Sequence, residues 1–221
     1  HRDLHSFPTR RSSDLATIDF EPQVPEKIEP RKYTYGNQEL DQAIKMIEES
    51  EKPYIFVGGG AITSGAAAQV KEFAEKIDAP VTDSLMGKGA FDTTRPRYTG
   101  MLGMHGTKTS NFGVSKCDLL IVVGARFSDR VTGDTASFAK NAKIIHIDVD
   151  AAEINKNVVV DLGIVGDAKS VLTELNAKLT RQSHPQWLKE IRDLKEQYPL
   201  SYDDNGLTGP YVIEQIDYLT N

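Results

Sequence analysis

The sequence predicts an α/β fold in which helices flank a parallel β-sheet on both faces, a Rossmann-like architecture. Short apolar runs alternate along the chain with amphipathic segments of helical period, as in successive βαβ units. The run DLLIVVGA at 118–125 is apolar without interruption after its first residue, which is typical of a strand buried on both faces. A glycine-rich turn after the first predicted strand leads into a helix, as in doubly wound sheets.

The first half of the chain predicts two helices and two strands. A helix begins at Asn37, the expected N-cap, because apolar residues then recur at helical spacing as far as Ile47. The strand PYIFV at 53–57 ends in three glycines and precedes a helix over 64–77. APVTDS at 79–84 predicts the next strand, and the long stretch after it, rich in glycine and methionine, predicts a loop.

The second half continues the alternation. A helix is predicted around TSNFGVSK at 109–116, and strands are predicted at 118–125, 143–150 and 158–166. The last segment of the series, DAKSVLTELNAKL, predicts a helix whose N-cap is Asp167. A parallel sheet with crossover helices follows from this order.

The first fifteen residues have no apolar period. Their codons can be chosen to spell a string similar to a common short-read sequencing adapter, so we expect residues 1–15 to be an artefact and disordered. A basic arm that binds nucleic acid is the alternative. Residues 16–36 contain three prolines and little periodicity, which predicts a linker.

Composition limits the classes of partner. The chain has 26 Lys and Arg against 32 Asp and Glu, a net charge of −6, and no basic stripe, so binding to nucleic acid is not expected. No apolar run approaches the roughly 20 residues that span a bilayer, so no membrane association is expected. The single cysteine, Cys117, is predicted to be a core residue and fits a reducing cytoplasm.

The residues that follow each predicted strand are the best candidates for ligand contacts, because parallel sheets bind ligands at the carboxyl ends of their strands. Gly58, Gly59 and Gly60 follow the first strand, where the backbone could approach a diphosphate. The spacing GxGxxxxG departs from the GxGxxG fingerprint, which weakens a nicotinamide interpretation. A tight turn without a ligand explains the glycines equally well.

Two further loop regions contain residues suited to ligand binding. The segments Leu85–Gly89 and Gly100–Gly106 bring thioethers and His105 onto glycine-rich backbone, suited to contact with a flat heteroaromatic ring. Gly124, Ala125, Arg126 and Arg130 follow the buried strand, and guanidinium groups at such a position predict recognition of phosphate or carboxylate. Solvated surface charge is the alternative for the arginines.

The last places are acidic. Asp148 ends the KIIHID strand, and a carboxylate there can accept hydrogen bonds from ribose hydroxyls. Asp167 precedes the last predicted helix, where capping alone would explain it. His146, inside the same strand as Asp148, is predicted to be a packing residue.

The string MLGMHGTKTSNFGVSKCDLLIVVGARFSDRVTGD at 101–134 resembles the middle domain of acetolactate synthase large subunits, which belong to the thiamine diphosphate enzymes. The resemblance covers residues 16–221. It implies that this domain binds FAD in an extended, structural role without net redox chemistry. Middle domains of pyruvate oxidase or glyoxylate carboligase type, or a stand-alone dinucleotide-binding module, are the alternatives.

Site residues follow from the resemblance. Gly58, Gly59 and Gly60 would meet the diphosphate region, and Gly124, Ala125 and Arg126 would lie close to the cofactor. The flavin side would be lined by Ser84, Leu85, Leu102, Gly103, Met104 and His105, and the adenosine side by Asp148, Val149, Asp167 and Ala168. Arg130 would bind the second substrate. Ser128 departs from the family pattern, in which an aspartate is common, so the contact from that carboxylate is absent here, although the serine hydroxyl could preserve a hydrogen bond.

The resemblance also implies what lies outside this chain. Thiamine diphosphate and Mg²⁺ would be held by two other domains of the full enzyme, which uses pyruvate and 2-oxobutanoate in branched-chain amino-acid biosynthesis. Residues 37–182 would form the FAD domain, and residues 183–221 would form a connector and the start of the next domain. A homo-oligomer and a regulatory subunit are expected partners of the full enzyme, whereas the fragment alone is expected to be inactive.

Overall fold

A six-stranded, all-parallel sheet with helices on both faces forms the centre of the part of the chain that the structure describes. The computed structural model describes residues 35–203 and 205–220, which lie in the second of two compact units, Tyr33–Asn221. The strand order is β3-β2-β1-β4-β5-β6, so the chain winds outward in both directions from β1 and β4. The predicted fold class is confirmed. The expectations for residues 1–34 lie outside the described residues.

The strands are β1 Pro53–Val57, β2 Val81–Asp83, β3 Tyr98–Met101, β4 Leu119–Val123, β5 Lys143–Asp148 and β6 Leu162–Val165. The helices are α1 Asn37–Glu48, α2 Gly59–Thr63, α3 Ala67–Lys76, α4 Lys108–Lys116, α5 Asp129–Thr132, α6 Ala168–Lys178, α7 Pro185–Gln197 and α8 Gly209–Thr220. A 3₁₀ turn spans Leu85–Gly87.

Three sequence predictions needed correction. Asn37 is the first residue of α1 and Gly36 is its N-cap, because the Glu39 carboxylate accepts a hydrogen bond from the Gly36 N–H. The helix predicted over 64–77 begins only at Ala67, and a separate short helix, α2, precedes it. The stretch predicted as one long loop contains β3, which pairs with β2 across an irregular register.

Two apolar layers enclose the sheet. Alternate residues of the central strands point to opposite faces. One face packs against α1, α3 and α6, and the other packs against α4 and α7. Each of β1 and β4 is buried along its whole length, as the uninterrupted apolar runs predict. Among the described residues, no helix is long and apolar enough to cross a membrane.

Cys117 confirms the prediction of a core residue. Its side chain is buried at the carboxyl end of α4, with Sγ 3.1 Å from the Val114 carbonyl oxygen. Burial, with a smaller contribution from the Asp118 charge, raises the pKa of the thiol to about 12. The thiol is therefore neutral and unreactive at physiological pH.

Trp187 fixes α7 to the sheet. It is fully buried, its Nε1–H donates to the Pro53 carbonyl oxygen at 2.9 Å, and its ring meets Tyr54 edge-on at 6.2 Å between centroids. Ile191 and Leu194 bury the same helix face. The first part of the segment predicted as a connector therefore packs on the sheet, while the boundary at residue 182 stays a prediction.

Removing the indole should cost much of the stability of the fold. We expect Trp187→Ala to lower the free energy of unfolding by about 3–5 kcal/mol, because a large buried side chain leaves a cavity and the Pro53 carbonyl loses its donor. Urea unfolding followed by circular dichroism measures this, with Arg192→Ala on the exposed side of α7 as control. Equal unfolding midpoints for the two variants would show that α7 contributes little to the core.

Candidate dinucleotide-binding site

A cavity of about 580 Å³ opens at the carboxyl ends of the central strands. Its volume lies within the range of about 300–1,000 Å³ that is common for small-molecule sites. The walls come from the segments that follow β1, β2, β3, β4 and β5. The lining residues are Gly59, Gly60, Ser84, Leu85, Met86, Met101, Leu102, His105, Gly124, Ala125, Arg126, Ser128, Arg130, Val131, Asp148, Asp150 and Glu153.

The glycine turn after β1 lies directly against the turn after β4. The Gly58 N–H donates to the Val123 carbonyl oxygen and the Gly60 N–H donates to the Gly124 carbonyl oxygen, both at 2.9 Å. A Cβ added to Gly58 would lie 2.3 Å from the Gly124 carbonyl oxygen, and one added to Gly60 would lie 2.7 Å from the Gly124 Cα. The glycines therefore allow two backbones to meet at the floor of the cavity, where α2 begins.

Arg126 and Arg130 are the cations of the cavity. Both side chains are exposed, and both line its wall. The ion pairs that arginines make in the described part of the chain involve Arg95 and Arg97, so neither cavity guanidinium is neutralised by a described carboxylate. Two unpaired guanidinium groups in a concave site favour an anionic ligand.

The loop that carries His105 is tied to Arg130. The Met104 N–H donates to the Arg130 carbonyl oxygen at 2.8 Å. Gly103 has φ +99°, and a Cβ there would lie 2.3 Å from the same oxygen. Only glycine fits this close approach without strain, so Gly103 sets the position of its loop relative to α5.

The end of the cavity near β5 is acidic. Asp148 is buried at the end of the strand, and its Oδ1 accepts from the Asp150 N–H at 2.9 Å. Burial acts to raise the pKa of Asp148, but the neighbouring His146 ring and the Asp150 N–H together bring it below its usual value. Asp148 is thus ionised at neutral pH and can accept hydrogen bonds. Asp150 and Glu153 extend this wall.

The opposite end has an apolar rim. Leu85 and Met86 line this end and are 69% and 74% exposed, which is unusual for large apolar side chains. Met104, in the loop after β3, is 72% exposed and lies outside the lining. Ser84 begins the 3₁₀ turn, and its Oγ accepts from the Gly87 N–H at 3.2 Å. A cationic centre between an acidic end and an apolar end is complementary to a dinucleotide, whose anionic diphosphate lies between a ribose and a flat ring.

Comparison with known proteins identifies the family of the chain. Residues 40–175 match the family model described as thiamine pyrophosphate enzyme, central domain. The chain belongs to the thiamine pyrophosphate enzyme family. Among its relatives, the probable acetolactate synthase large subunit of Methanocaldococcus jannaschii is 49% identical over 207 residues, which are 90% of this chain and 35% of that protein.

Two further relatives of this central domain have similar descriptions. The acetolactate synthase large subunit of Cyanidium caldarium is 45% identical over 191 residues, or 82% of this chain and 33% of that protein. The acetolactate synthase of Arthrospira platensis is 42% identical over 209 residues, or 87% of this chain and 36% of that protein. The chain therefore spans about a third of the length of these relatives.

The fold of the central domain brings most of the predicted site residues together. Eleven of the predicted residues line the cavity: Gly59, Gly60, Ser84, Leu85, Leu102, His105, Gly124, Ala125, Arg126, Arg130 and Asp148. Gly58 and Gly103 lie behind the wall as backbone contacts, and the exposed Met104 and Val149 lie outside the lining. That any of these residues binds a cofactor stays a prediction.

Asp167 and Ala168 do not line the cavity. Asp167 is the N-cap of α6, since its Oδ1 accepts from the Ser170 N–H at 2.9 Å, and Ala168 is buried beside it. Helix capping was the alternative explanation for Asp167, and the hydrogen bond from the Ser170 N–H shows that Asp167 caps α6. A role for the two residues toward a ligand stays a prediction.

Six lining residues are not among the predicted site residues: Met86, Met101, Ser128, Val131, Asp150 and Glu153. Met86 and Met101 belong to the glycine-rich segments predicted to contact a ring, and Ser128 was named for its departure from the family pattern, whereas Asp150 and Glu153 were missed. Asp150 and Glu153 belong to a turn in which the Glu153 N–H donates to the Asp150 carbonyl oxygen at 3.0 Å. The acidic pattern DVDAAE after β5 was the available signal. No group of three or more His, Cys, Asp or Glu side chains in residues 35–203 and 205–220 could hold a metal ion.

Proposed function

We propose that this chain is the FAD-binding middle domain of an acetolactate synthase, a transferase that condenses two 2-oxo acids with loss of carbon dioxide. The observation that carries the proposal is that one cavity combines an acidic end, two arginines without ion pairs to the described carboxylates, and an apolar rim. The similarity to acetolactate synthases over most of the chain supports the choice of enzyme.

The residues of the cavity fit FAD in type and order. Gly58, Gly59, Gly60 and Arg126, beside Gly124 and Ala125, would hold the diphosphate, because a guanidinium favours phosphate oxygens and a turn without side chains lets a ligand approach the backbone. The flavin side would be formed by Ser84, Leu85, Leu102, Gly103, Met104 and His105. The adenosine side would be formed by Asp148 at the cavity wall, together with Val149, Asp167 and Ala168, which lie outside the lining.

FAD has a structural role in this proposal. Its chemistry is not used for net electron transfer, and the domain contributes a shaped, partly apolar wall beside the place where the substrates react. Thiamine diphosphate and Mg²⁺ would bind through other domains of the full enzyme. The fragment alone would therefore have no acetolactate synthase activity.

Arg130 would serve the substrate instead of the cofactor. Both substrates, pyruvate and 2-oxobutanoate, carry a carboxylate, and a guanidinium can hold a carboxylate at two points. Arg130 lines the cavity and makes no ion pair with the described carboxylates. The full enzyme would act in branched-chain amino-acid biosynthesis in the cytoplasm, as a homo-oligomer that a regulatory subunit can bind.

Flavin fluorescence tests the choice of cofactor. Titration of FAD with the purified chain should give saturable quenching, weak because other domains would complete the site. NAD⁺ in excess should not displace the flavin, and riboflavin, which lacks the diphosphate, should bind less well. Saturable binding of NAD⁺ without any response of FAD would contradict the proposal.

A further inference from the structure

His146 lies in the core directly beneath the acidic end of the cavity. It belongs to β5, where it pairs with Val122 of β4, and its side chain is fully buried. Its ring meets the edge of Phe127 at 5.1 Å between centroids. The sequence predicts a packing residue here, but a buried imidazole needs a hydrogen-bond partner as well as shape.

One nitrogen of the ring faces two of the segments that line the cavity, the segment after β4 and the end of β5. Nε2 lies 2.9 Å from the Ala125 carbonyl oxygen and 3.7 Å from Asp148 Oδ2. Nδ1 is buried and has no hydrogen-bond partner among the described residues. Because a carbonyl oxygen can only accept, Nε2 must carry the proton.

These contacts join the two segments that carry opposite charge. The Ala125 carbonyl is part of the peptide bond that leads to Arg126, so holding it fixes the start of the arginine segment. Asp148 ends the strand on which His146 lies. The Nε2–H group therefore relates the position of the Arg126 backbone to that of the Asp148 carboxylate through one rigid ring.

We propose that His146 is a positioning residue for dinucleotide binding. Its Nε2–H holds the Ala125 carbonyl and faces Asp148, and so fixes the position of the Arg126 segment relative to the Asp148 carboxylate. The proposal rests on the proposed FAD site. It assigns His146 no contact with the ligand, because the side chain has no exposed surface.

Two substitutions separate the hydrogen bond from the packing. Gln can place an amide N–H near the position of Nε2, whereas Leu fills space without a donor. We expect His146→Leu to weaken FAD binding roughly ten- to hundredfold and His146→Gln to stay within roughly threefold of the parent. Ile145→Val is the control, because Ile145 is buried on the same strand and packs in the opposite layer.

Nuclear magnetic resonance of the ligand-free chain gives a second readout. The ¹⁵N shifts of the His146 ring should show the proton on Nε2. The backbone amides of Arg126 and Phe127 should exchange faster in His146→Leu than in the parent or in Ile145→Val, while circular dichroism stays unchanged. Should His146→Leu not fold, the ring tautomer and the behaviour of His146→Gln decide the matter.

The outcomes are distinct. A parent chain that binds no FAD would overturn the proposed function and this proposal with it, whatever the ring tautomer. A parent that binds FAD would overturn this proposal alone in three cases: the proton is on Nδ1, His146→Leu binds as well as His146→Gln, or Ile145→Val loses as much affinity as His146→Leu.

Discussion

An Arg130→Lys substitution in the full-length enzyme should slow the condensation and change the preference between acceptor acids, with little effect on FAD binding. Lys keeps the positive charge but loses the planar fork that holds a carboxylate at two points. A charge-assisted contact of this kind is worth about 1.5–3 kcal/mol, or roughly ten- to hundredfold in rate if it is made in the transition state. Steady-state rates with pyruvate and 2-oxobutanoate as acceptors measure the effect.

Arg126→Ala is the matched comparison, because both arginines line the same cavity and both lack ion pairs with described carboxylates. It should weaken FAD binding more than it alters the ratio of the two acceptor products. Release of flavin by Arg130→Lys with an unchanged acceptor ratio would place Arg130 in the cofactor site. The division of roles between the two arginines would then be wrong.

Gly58→Ala should destabilise the fold and weaken the binding of FAD. The added Cβ would lie 2.3 Å from the Gly124 carbonyl oxygen and 2.5 Å from the Cα of Ala125, so one of the two turns must move. Overpacking of this kind costs about 1–3 kcal/mol of stability. Because both turns form the floor of the cavity, we also expect FAD affinity to fall about tenfold or more.

Gly209→Ala provides the control for the added methyl group, since a Cβ at Gly209 would meet nothing within 4 Å. Thermal unfolding and FAD titration should be unchanged in this variant. Normal stability together with normal FAD affinity in Gly58→Ala would show that the turn after β1 adapts freely. The close contact between the two turns would then have no bearing on the ligand.

The fold was predictable where sequence pattern and burial coincide. β1 and β4 were recognised because strands buried on both faces are uninterrupted apolar runs in the sequence. α3 was recognised because its buried face, with Val70, Phe73 and Ala74, gives apolar residues at helical spacing. The sequence of β3 shows no such pattern, because the strand is short and half-buried and includes Gly100 with φ +100°. Its place in the sheet depends on pairing with β2, which no local pattern encodes.

The position of the cavity was predictable because a parallel sheet gathers the residues that follow its strands. Arg126 and Asp148 come from separate strands and were placed together for this reason. Asp150 and Glu153 were missed because a turn, fixed by the hydrogen bond from the Asp150 N–H to Asp148, folds them back over the cavity. The function of His146 depends on its contact with the Ala125 carbonyl, 21 residues earlier in the chain, which the sequence of β5 does not show.

A map of amide shifts on titration with FAD tests the central claim most directly. In ¹⁵N spectra of the chain, the signals that change should belong to the turns after β1, β2, β4 and β5, including Gly60, Ser84, Arg126 and Asp148. A second cavity of about 340 Å³, lined by Tyr98, Lys195 and Tyr198 among others, serves as an internal control and should not respond. Changes confined to that second cavity, or absent at saturating FAD, would contradict the assignment of the dinucleotide site.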